Sequence, residues 1–359
     1  MKAAVVTPGK KDSIRVVDIE RPACSDDGVL VRVKRVGIDG TDEDINKGAY
    51  GVPPEGSDFL VIGHEAVGIV ESMGRAVKCL APGETVVSTV RRPCWERCYP
   101  CRNQHSDACL TGDYLERGIK GLHGYMSEYY VETLDNIIRI PPGLKNTAVL
   151  LEPLSVAEKG LEQVFKIQER LPWDPKHALI MGAGSLGLLA TFILKDIGVD
   201  TCTIATRDKK SLKARIVEGC GGLYVNVREE PLKTLPKKYG PFDVVIEATG
   251  VGSLAMDARD VVNRDGIVCL LGVYPGEDMR NICTDCLNLD MVLNNKLVFG
   301  SVNSNRIHFE HGTERMLSIE RKWPGLLQKL FTRTVTLDNV ASGLHREPED
   351  IKVIVEISK

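Results

Sequence analysis

The chain has 359 residues, with 46 Lys and Arg against 49 Asp and Glu, a formal net charge of −3, and 43% hydrophobic residues. That charge leaves no basic face for nucleic acid, no apolar run is long enough to span a bilayer, and no tract is polar enough to stay unfolded. The length suits about two domains with separate cores, and the absence of a secretory leader pattern points to a cytoplasmic protein.

Residues 1 to about 150 read as a β-rich lobe, because short runs such as Val29–Val33 and Val67–Val70 alternate with glycine and proline punctuation. Asp39-Gly40-Thr41 and Gly63-His64-Glu65 fall in this lobe, and Glu152-Pro153 follows it. Asp39, His64 and Glu152 are candidate ligands of one open zinc site, since a catalytic zinc takes imidazole and carboxylate donors and keeps a free position. Taken alone, His64 reads equally well as a strand-end histidine bonded to its neighbour.

Between these motifs, Cys94, Cys98, Cys101 and Cys109 place four thiols within sixteen residues. Such spacing fits a closed tetrahedral zinc that stiffens a lobe and leaves no room for chemistry. A pair of disulfides is the competing reading, disfavoured in a reducing compartment. Cys24, Cys79, Cys202, Cys220 and Cys269 are scattered singly, and the Cys283-x-x-Cys286 pair is expected to carry free thiols.

The pattern then changes to alternating strands and helices. His177–Met181 reads as a buried strand that runs into Gly182-Ala-Gly184-Ser185-Leu186-Gly187, followed by helical spacing of Leu188, Leu189, Phe192 and Ile193, a stop at Gly198, and a strand over Thr201–Thr206. A strand–glycine–helix context is the dinucleotide fingerprint, with pyrophosphate expected at the helix N-terminus. Twenty residues past Gly187, Thr206-Arg207-Asp208 offers both a guanidinium for a ribose phosphate and a carboxylate for ribose hydroxyls, so NADP and NAD are both expected cofactors. Further strands are expected at Asp243–Glu247, Gly266–Leu271 and Leu297–Ser301. A helix is expected over Trp323–Phe331, and a last strand at Ile351–Ile357 returns to the first lobe.

Together these residues resemble the zinc-containing medium-chain alcohol dehydrogenase superfamily over essentially the whole chain, and within it the archaeal-type glucose 1-dehydrogenases. The strings that carry the likeness are Val36–Asp42, Gly63–Glu65, Val90–Arg92, Gly124–Glu128, Glu152–Ser155, Gly300–Asn303 and His308-Phe309. The resemblance implies an α/β fold: a GroES-like catalytic domain (residues 1–154), a Rossmann NAD(P)-binding domain with a doubly wound parallel sheet (155–303), and a C-terminal return to the catalytic domain (304–359), with the active site in the cleft between the domains.

It also implies roles. Asp39, His64, Glu65 and Glu152 correspond to the catalytic zinc site, with the direct ligand among the two glutamates left open. Cys94, Cys98, Cys101 and Cys109 correspond to structural zinc ligands. Thr41, Glu116, Glu152, Val156 and Asn303 stand at substrate positions, and Leu271, Gly272, Val273, Ser301, Val302 and Asn303 join the Gly182–Gly187 and Thr206–Asp208 segments around the cofactor. Three departures stand out: Asp39 replaces the usual cysteine, Val156 and Leu293-Asn294 lie where sugar-oxidising relatives often carry Asp or His, and Cys94 and Cys98 are one residue further apart than usual.

The implied reaction is oxidation of an aldose, D-glucose first, at the anomeric carbon to the lactone. A polyol or secondary-alcohol dehydrogenase is the alternative, and a nucleotide-binding scaffold without turnover is a third reading. The resemblance implies a homo-oligomer, dimer or tetramer, with the segment Cys283–Leu289 near an edge-strand interface.

Overall fold

The computed structural model describes residues 1–273, 276–277 and 279–358, and these form two compact units. The first unit comprises residues 1–155, 303–317 and 330–359; the second comprises 156–302 and 318–329.

The first unit begins with β1 (Lys2–Val6), β2 (Arg15–Asp18), β3 (Gly28–Ile38), α1 (Gly40–Asn46), β4 (Leu60–Val61) and β5 (Glu65–Met73). There follow β6 (Thr85–Ser88), β7 (Arg91–Arg92), the single-turn α2 (Tyr99–Arg102), β8 (Leu115–Arg117), β9 (Gly121–Leu122), β10 (Tyr129–Thr133), β11 (Ile137–Arg139) and the first turn of α3 (Leu151–Gln168), whose remainder from Val156 on belongs to the second unit. Val29, Val31 and Val33 of β3 are fully buried and Arg32 between them is not, but Leu30 is buried as well, so the alternation noted in the sequence holds only in part. The three valines join Val36, Ile62, Tyr125 and Met126 in one core.

The second unit contains β12 (His177–Met181), α4 (Ser185–Asp196), β13 (Asp200–Ala205), α5 (Leu212–Gly219), β14 (Leu223–Asn226), α6 (Leu235–Tyr239), β15 (Phe242–Glu247), α7 (Gly252–Val261), β16 (Val262–Leu270), α8 (Thr284–Leu293) and β17 (Leu297–Gly300). Its sheet is wholly parallel, in the order β14-β13-β12-β15-β16-β17. That is the doubly wound dinucleotide-binding arrangement, whose ligand crevice lies at the carboxyl ends of the strands where the order reverses, between β12 and β15. Ala178, Leu179, Ile180 and Met181 are all fully buried, which explains why β12 reads as a continuous apolar run.

The chain finishes with α9 (Arg306–Lys322), β18 (Phe331–Thr336), α10 (Val340–Leu344) and β19 (Lys352–Glu356). β19 pairs antiparallel with β3 in the sheet of the first unit.

Two expectations need correction. The helix expected over Trp323–Phe331 is present only as a 3-10 turn at Leu327–Leu330, and the long helix lies earlier, at Arg306–Lys322; Pro324 and Gly325, the latter at φ 74°, break the helical path, and Phe331 already opens a strand. Cys283 and Cys286, expected as free thiols, are joined in a disulfide with Cα atoms 5.3 Å apart, because the first turn of α8 brings residues three apart onto one side. The segment Cys283–Leu289 is accordingly the start of a helix, with β17 as the edge strand after it. Among the described residues no helix is long and apolar enough to cross a membrane.

Candidate active site

The carboxylate site is assembled in the first unit by a helix start and a strand start. Asp39 is the N-cap of α1: its Oδ1 accepts from the amides of Thr41 at 2.8 Å and Asp42 at 3.3 Å, which leaves Oδ2 facing the His64 Nε2 at 3.5 Å. A zinc held at about 2.1 Å by nitrogen and oxygen in a tetrahedron spaces its ligand atoms by roughly 3.4 Å, so this pair matches a shared metal. The Thr41 hydroxyl donates to Asp39 Oδ2 at 3.2 Å. His64 Nδ1 is buried without a hydrogen-bond partner, with Asp42 Oδ1 3.9 Å away.

Asp39, His64 and Glu65 bring ligand atoms within 4.8 Å of one another. Glu65 differs from the other two, because both of its oxygens accept from the Lys352 ammonium, at 2.7 and 2.6 Å, in an ion pair that is almost completely buried. Gly37 makes room for that pair; a Cβ there would sit 2.1 Å from Glu65 Oε2. Glu152, in the first turn of α3, lies outside the 4.8 Å group, is 6% exposed, and receives no hydrogen bond on its carboxylate among the described residues. Val156 lies four residues further along the same helix and is half-buried.

Crowding of carboxylates around one imidazole shapes the protonation. Burial pushes Glu152 up to about 8, reinforced by Glu65 and Asp39, and pushes Asp42 up to about 7. Burial also opposes charge on His64, yet Asp39, Asp42 and Glu152 together hold it well above its ordinary value. Burial raises Asp39 too, but the neighbouring His64 outweighs it and holds the carboxyl below the usual range. Protons thus neutralise a site that a divalent cation would neutralise better. Zinc entry is expected to expel protons from Glu152 and His64, so affinity should rise as pH climbs through about 8. Calorimetric titration in two buffers of different ionisation enthalpy checks this, and identical heats in both would contradict it.

The four lobe thiols Cys94, Cys98, Cys101 and Cys109 lie within 4.8 Å of one another. The Cys98 and Cys109 sulfurs are 3.9 Å apart, close to the roughly 3.8 Å edge of a tetrahedron with 2.3 Å zinc–sulfur bonds. Amides turn inward as they do around thiolates: Cys98 N donates to Cys94 Sγ at 3.3 Å and Leu110 N to Cys98 Sγ at 3.5 Å. Between Cys94 and Cys98, Arg97 takes φ 50°.

Glu116 and Asn303 meet directly, Asn303 Nδ2 donating to Glu116 Oε1 at 2.8 Å. Three residues near the site carry no assigned role in the sequence, although Arg91 lies within the Val90–Arg92 string. Tyr50 is exposed over much of its ring, but its hydroxyl is within hydrogen-bonding reach of Thr41 and burial pushes it up to about 12. Arg91 buries its guanidinium against Glu116. Lys352 is a buried lysine that heads the apolar run Val353–Val355, and that mismatch is the one signal that could have flagged it.

In the second unit the glycine loop is shaped for a phosphate. A Cβ on Gly182, which takes φ 106°, would meet the Ala248 carbonyl at 2.7 Å, and one on Gly187 would stand 2.0 Å from the Gly182 carbonyl, whereas Gly184 faces open space. No side chain caps α4, and the Ser185 hydroxyl is buried without a partner, so free donors gather where pyrophosphate binds such folds. Leu186 follows in the same first turn. Thr206, Arg207 and Asp208 follow β13 directly, Asp208 folding its Oδ1 back onto the Lys210 amide at 2.7 Å. Leu271 and Gly272 donate their amides to the Glu247 carbonyl, which aligns the ends of β15 and β16; Val273 is 74% exposed just beyond. Ser301 and Val302 follow β17, and the Val302 carbonyl accepts from Lys159 at 2.9 Å.

Residues 145–357 match the family model described as glucose dehydrogenase C-terminus, and residues 25–142 match the alcohol dehydrogenase GroES-like domain. The chain is 53% identical to a glucose 1-dehydrogenase of Methanocella arvoryzae over 99% of both chains. The chain belongs to the glucose dehydrogenase family. A second family member, a glucose 1-dehydrogenase of Caldivirga maquilingensis, is 41% identical over 100% of this chain and 99% of its own. Among solved structures of the family, the Haloferax mediterranei glucose dehydrogenase in complex with NADP, Zn and gluconolactone superposes with a TM-score of 0.91 at 35% identity, covering 100% of both chains. The family's GroES-like and doubly wound units are therefore both present in this member.

Proposed function

We propose that this chain oxidises D-glucose at the anomeric carbon to the aldonolactone, with zinc and NADP or NAD. The observation that carries the reading is the pairing of Asp39 and His64 at metal-sharing distance in a buried, carboxylate-rich site whose unit also holds the Glu116–Asn303 pair. Glucose oxidation is also what the relatives' names describe.

Asp39 and His64 would hold the catalytic zinc, with Glu152 preferred to Glu65 as the third protein ligand, because Glu65 is already neutralised by Lys352. Cys94, Cys98, Cys101 and Cys109 would hold a structural zinc. When bound, zinc supplies a Lewis acid that favours ionisation of the anomeric hydroxyl, and nicotinamide supplies the hydride acceptor. The chain's own contribution is orientation and proton handling. Thr41, hydrogen-bonded to Asp39 Oδ2 and near the Tyr50 hydroxyl, is placed to carry the departing proton. Glu116, Glu152 and Asn303 offer acceptors and donors to sugar hydroxyls, and a buried hydroxyl left unpaired costs about 1–3 kcal/mol. Val156 adds an apolar wall. Gly182, Gly184, Ser185, Leu186 and Gly187 would cradle the pyrophosphate, Thr206, Arg207 and Asp208 the ribose end, and Leu271, Gly272, Val273, Ser301, Val302 and Asn303 the nicotinamide end.

Residues 1–154 and 304–359 make up the catalytic domain in this reading, and 155–303 the nucleotide-binding domain. A homo-oligomer is supported by α8, where Leu289, Val292 and Leu293 are 58 to 64% exposed. A cytoplasmic setting suits thiolate zinc ligands.

The test is nicotinamide reduction by zinc-loaded protein with D-glucose, D-galactose, D-xylose and sorbitol, each with NAD and NADP. Turnover on aldoses is expected; turnover on sorbitol alone would replace the sugar reading with a polyol dehydrogenase. In the same panel Arg207→Ala is expected to raise KM for NADP by about tenfold, one lost charge-assisted pair, and to leave KM for NAD within about twofold. An unchanged NADP preference removes Arg207 from the account.

A further inference from the structure

A buried hydrogen-bond chain ties the cysteine lobe to the Glu116 carboxylate. Arg91 Nε donates to Glu116 Oε1 at 2.9 Å, Arg91 Nη1 donates to the Asp107 carbonyl at 2.9 Å, and the guanidinium lies 3.8 Å from the centre of the Tyr114 ring. Asp107 sits in the turn just before the thiol Cys109, and its carboxylate accepts from Asn305 Nδ2 at 3.1 Å. Arg91 and Glu116 are each 7% exposed. The second donor on Glu116 Oε1 is Asn303 Nδ2. One oxygen of Glu116 is therefore saturated twice, while no donor reaches Oε2 among the described residues.

We propose that Arg91 is a positioning residue for sugar recognition: by locking Oε1 of Glu116, it leaves Oε2 as the acceptor for one sugar hydroxyl. The inference rests on the aldose reading above. A carboxylate free to rotate would offer its oxygens interchangeably and would lose orientation entropy on meeting the sugar; one clamped by a guanidinium has already lost it. Arginine is needed because its planar fork serves two acceptors at a fixed angle, Glu116 on one edge and the Asp107 carbonyl on the other, whereas a lysine ammonium serves them as a point charge on a flexible stem. The Asp107 contact also makes the cysteine lobe, through Arg91, part of what sets sugar affinity.

Steady-state kinetics of wild type, Arg91→Met, Arg91→Lys, Glu116→Gln and the Arg91→Met/Glu116→Gln double variant test this, with D-glucose and its 2-, 3-, 4- and 6-deoxy analogues, alongside zinc content and thermal unfolding. Arg91→Met is expected to raise KM for glucose by about ten- to a hundredfold, the scale of one lost buried hydroxyl partner, with a smaller change in kcat and KM for the nucleotide within about twofold. One deoxy analogue should be nearly indifferent to the substitution, since it lacks the hydroxyl that Oε2 accepts. The double variant should be no worse than Glu116→Gln alone, and Arg91→Lys should fall between wild type and Arg91→Met. Equal losses on every analogue would show a general structural role and overturn the proposal, as would a folded Arg91→Met with unchanged KM. If Arg91→Met fails to fold, Arg91→Lys carries the same analogue comparison. A wild type that turns over no aldose sinks the aldose reading itself, a result distinct from an active wild type indifferent to Arg91.

Discussion

Replacing His64 by alanine is expected to lower kcat by about 10³-fold or more, because losing the imidazole ligand forfeits several kcal/mol of charge stabilisation at the reacting oxygen. Asp39 cannot hold the site alone: its Oδ1 is spent on capping α1, and only Oδ2 faces the metal position. NADP affinity should stay within about twofold, since the glycine loop belongs to a separately packed unit. Metal analysis should find one zinc lost and one retained, because the four thiols around Cys98 are untouched by the substitution. Wild-type turnover by His64→Ala would end zinc-centred catalysis as an account of this chain. A chelator should act in the same direction on wild type, removing the oxygen- and nitrogen-held zinc before the thiolate-held one.

Lys352→Met is expected to have the largest effect on stability. It leaves Glu65 charged and unpaired at 1% exposure, and breaking a buried pair by removing one partner costs about 3–5 kcal/mol. Lys352 also donates to the Ile38 carbonyl at 3.3 Å, one residue before Asp39, so its loss is expected to loosen the strand end that presents this proposed ligand. Denaturant unfolding of the first unit should show the loss, and a double variant, Lys352→Met with Glu65→Gln, should recover more than half of it by removing the stranded charge. If the double variant is no more stable than the single one, the pair's charge is not what holds this part of the sheet together.

Much of the architecture was legible because it is written in short-range patterns. The β12 strand, the glycine loop and α4 were readable together, since burial, tight turning and helical periodicity all act within about twenty residues. The cysteine lobe was readable for the same reason: four donors close in sequence can hardly avoid being close in space. Local reading failed where local signals conflict. Trp323–Phe331 is rich in apolar and helix-forming residues, yet α9 ends at Lys322 just before Pro324-Gly325, Leu327–Leu330 makes only a short 3-10 turn, and Phe331 is drawn into β18 by pairing with β19.

By itself, then, the sequence determined the two-unit α/β plan and the glycine loop, because each of these follows from patterns within short segments, and it named the residues proposed to hold the metal. Only the tertiary structure decided how the carboxylates divide the work. Glu65 and Glu152 are alike in sequence terms, but Glu65 meets a lysine 287 positions away while Glu152 is left without a cationic hydrogen-bond partner. Glu116 is likewise committed on one oxygen by Arg91 and by Asn303, which is 187 positions distant. Charge neutralisation in a buried site depends on which side chains the folded sheet brings within about 3 Å, and no spacing rule along the chain encodes that meeting.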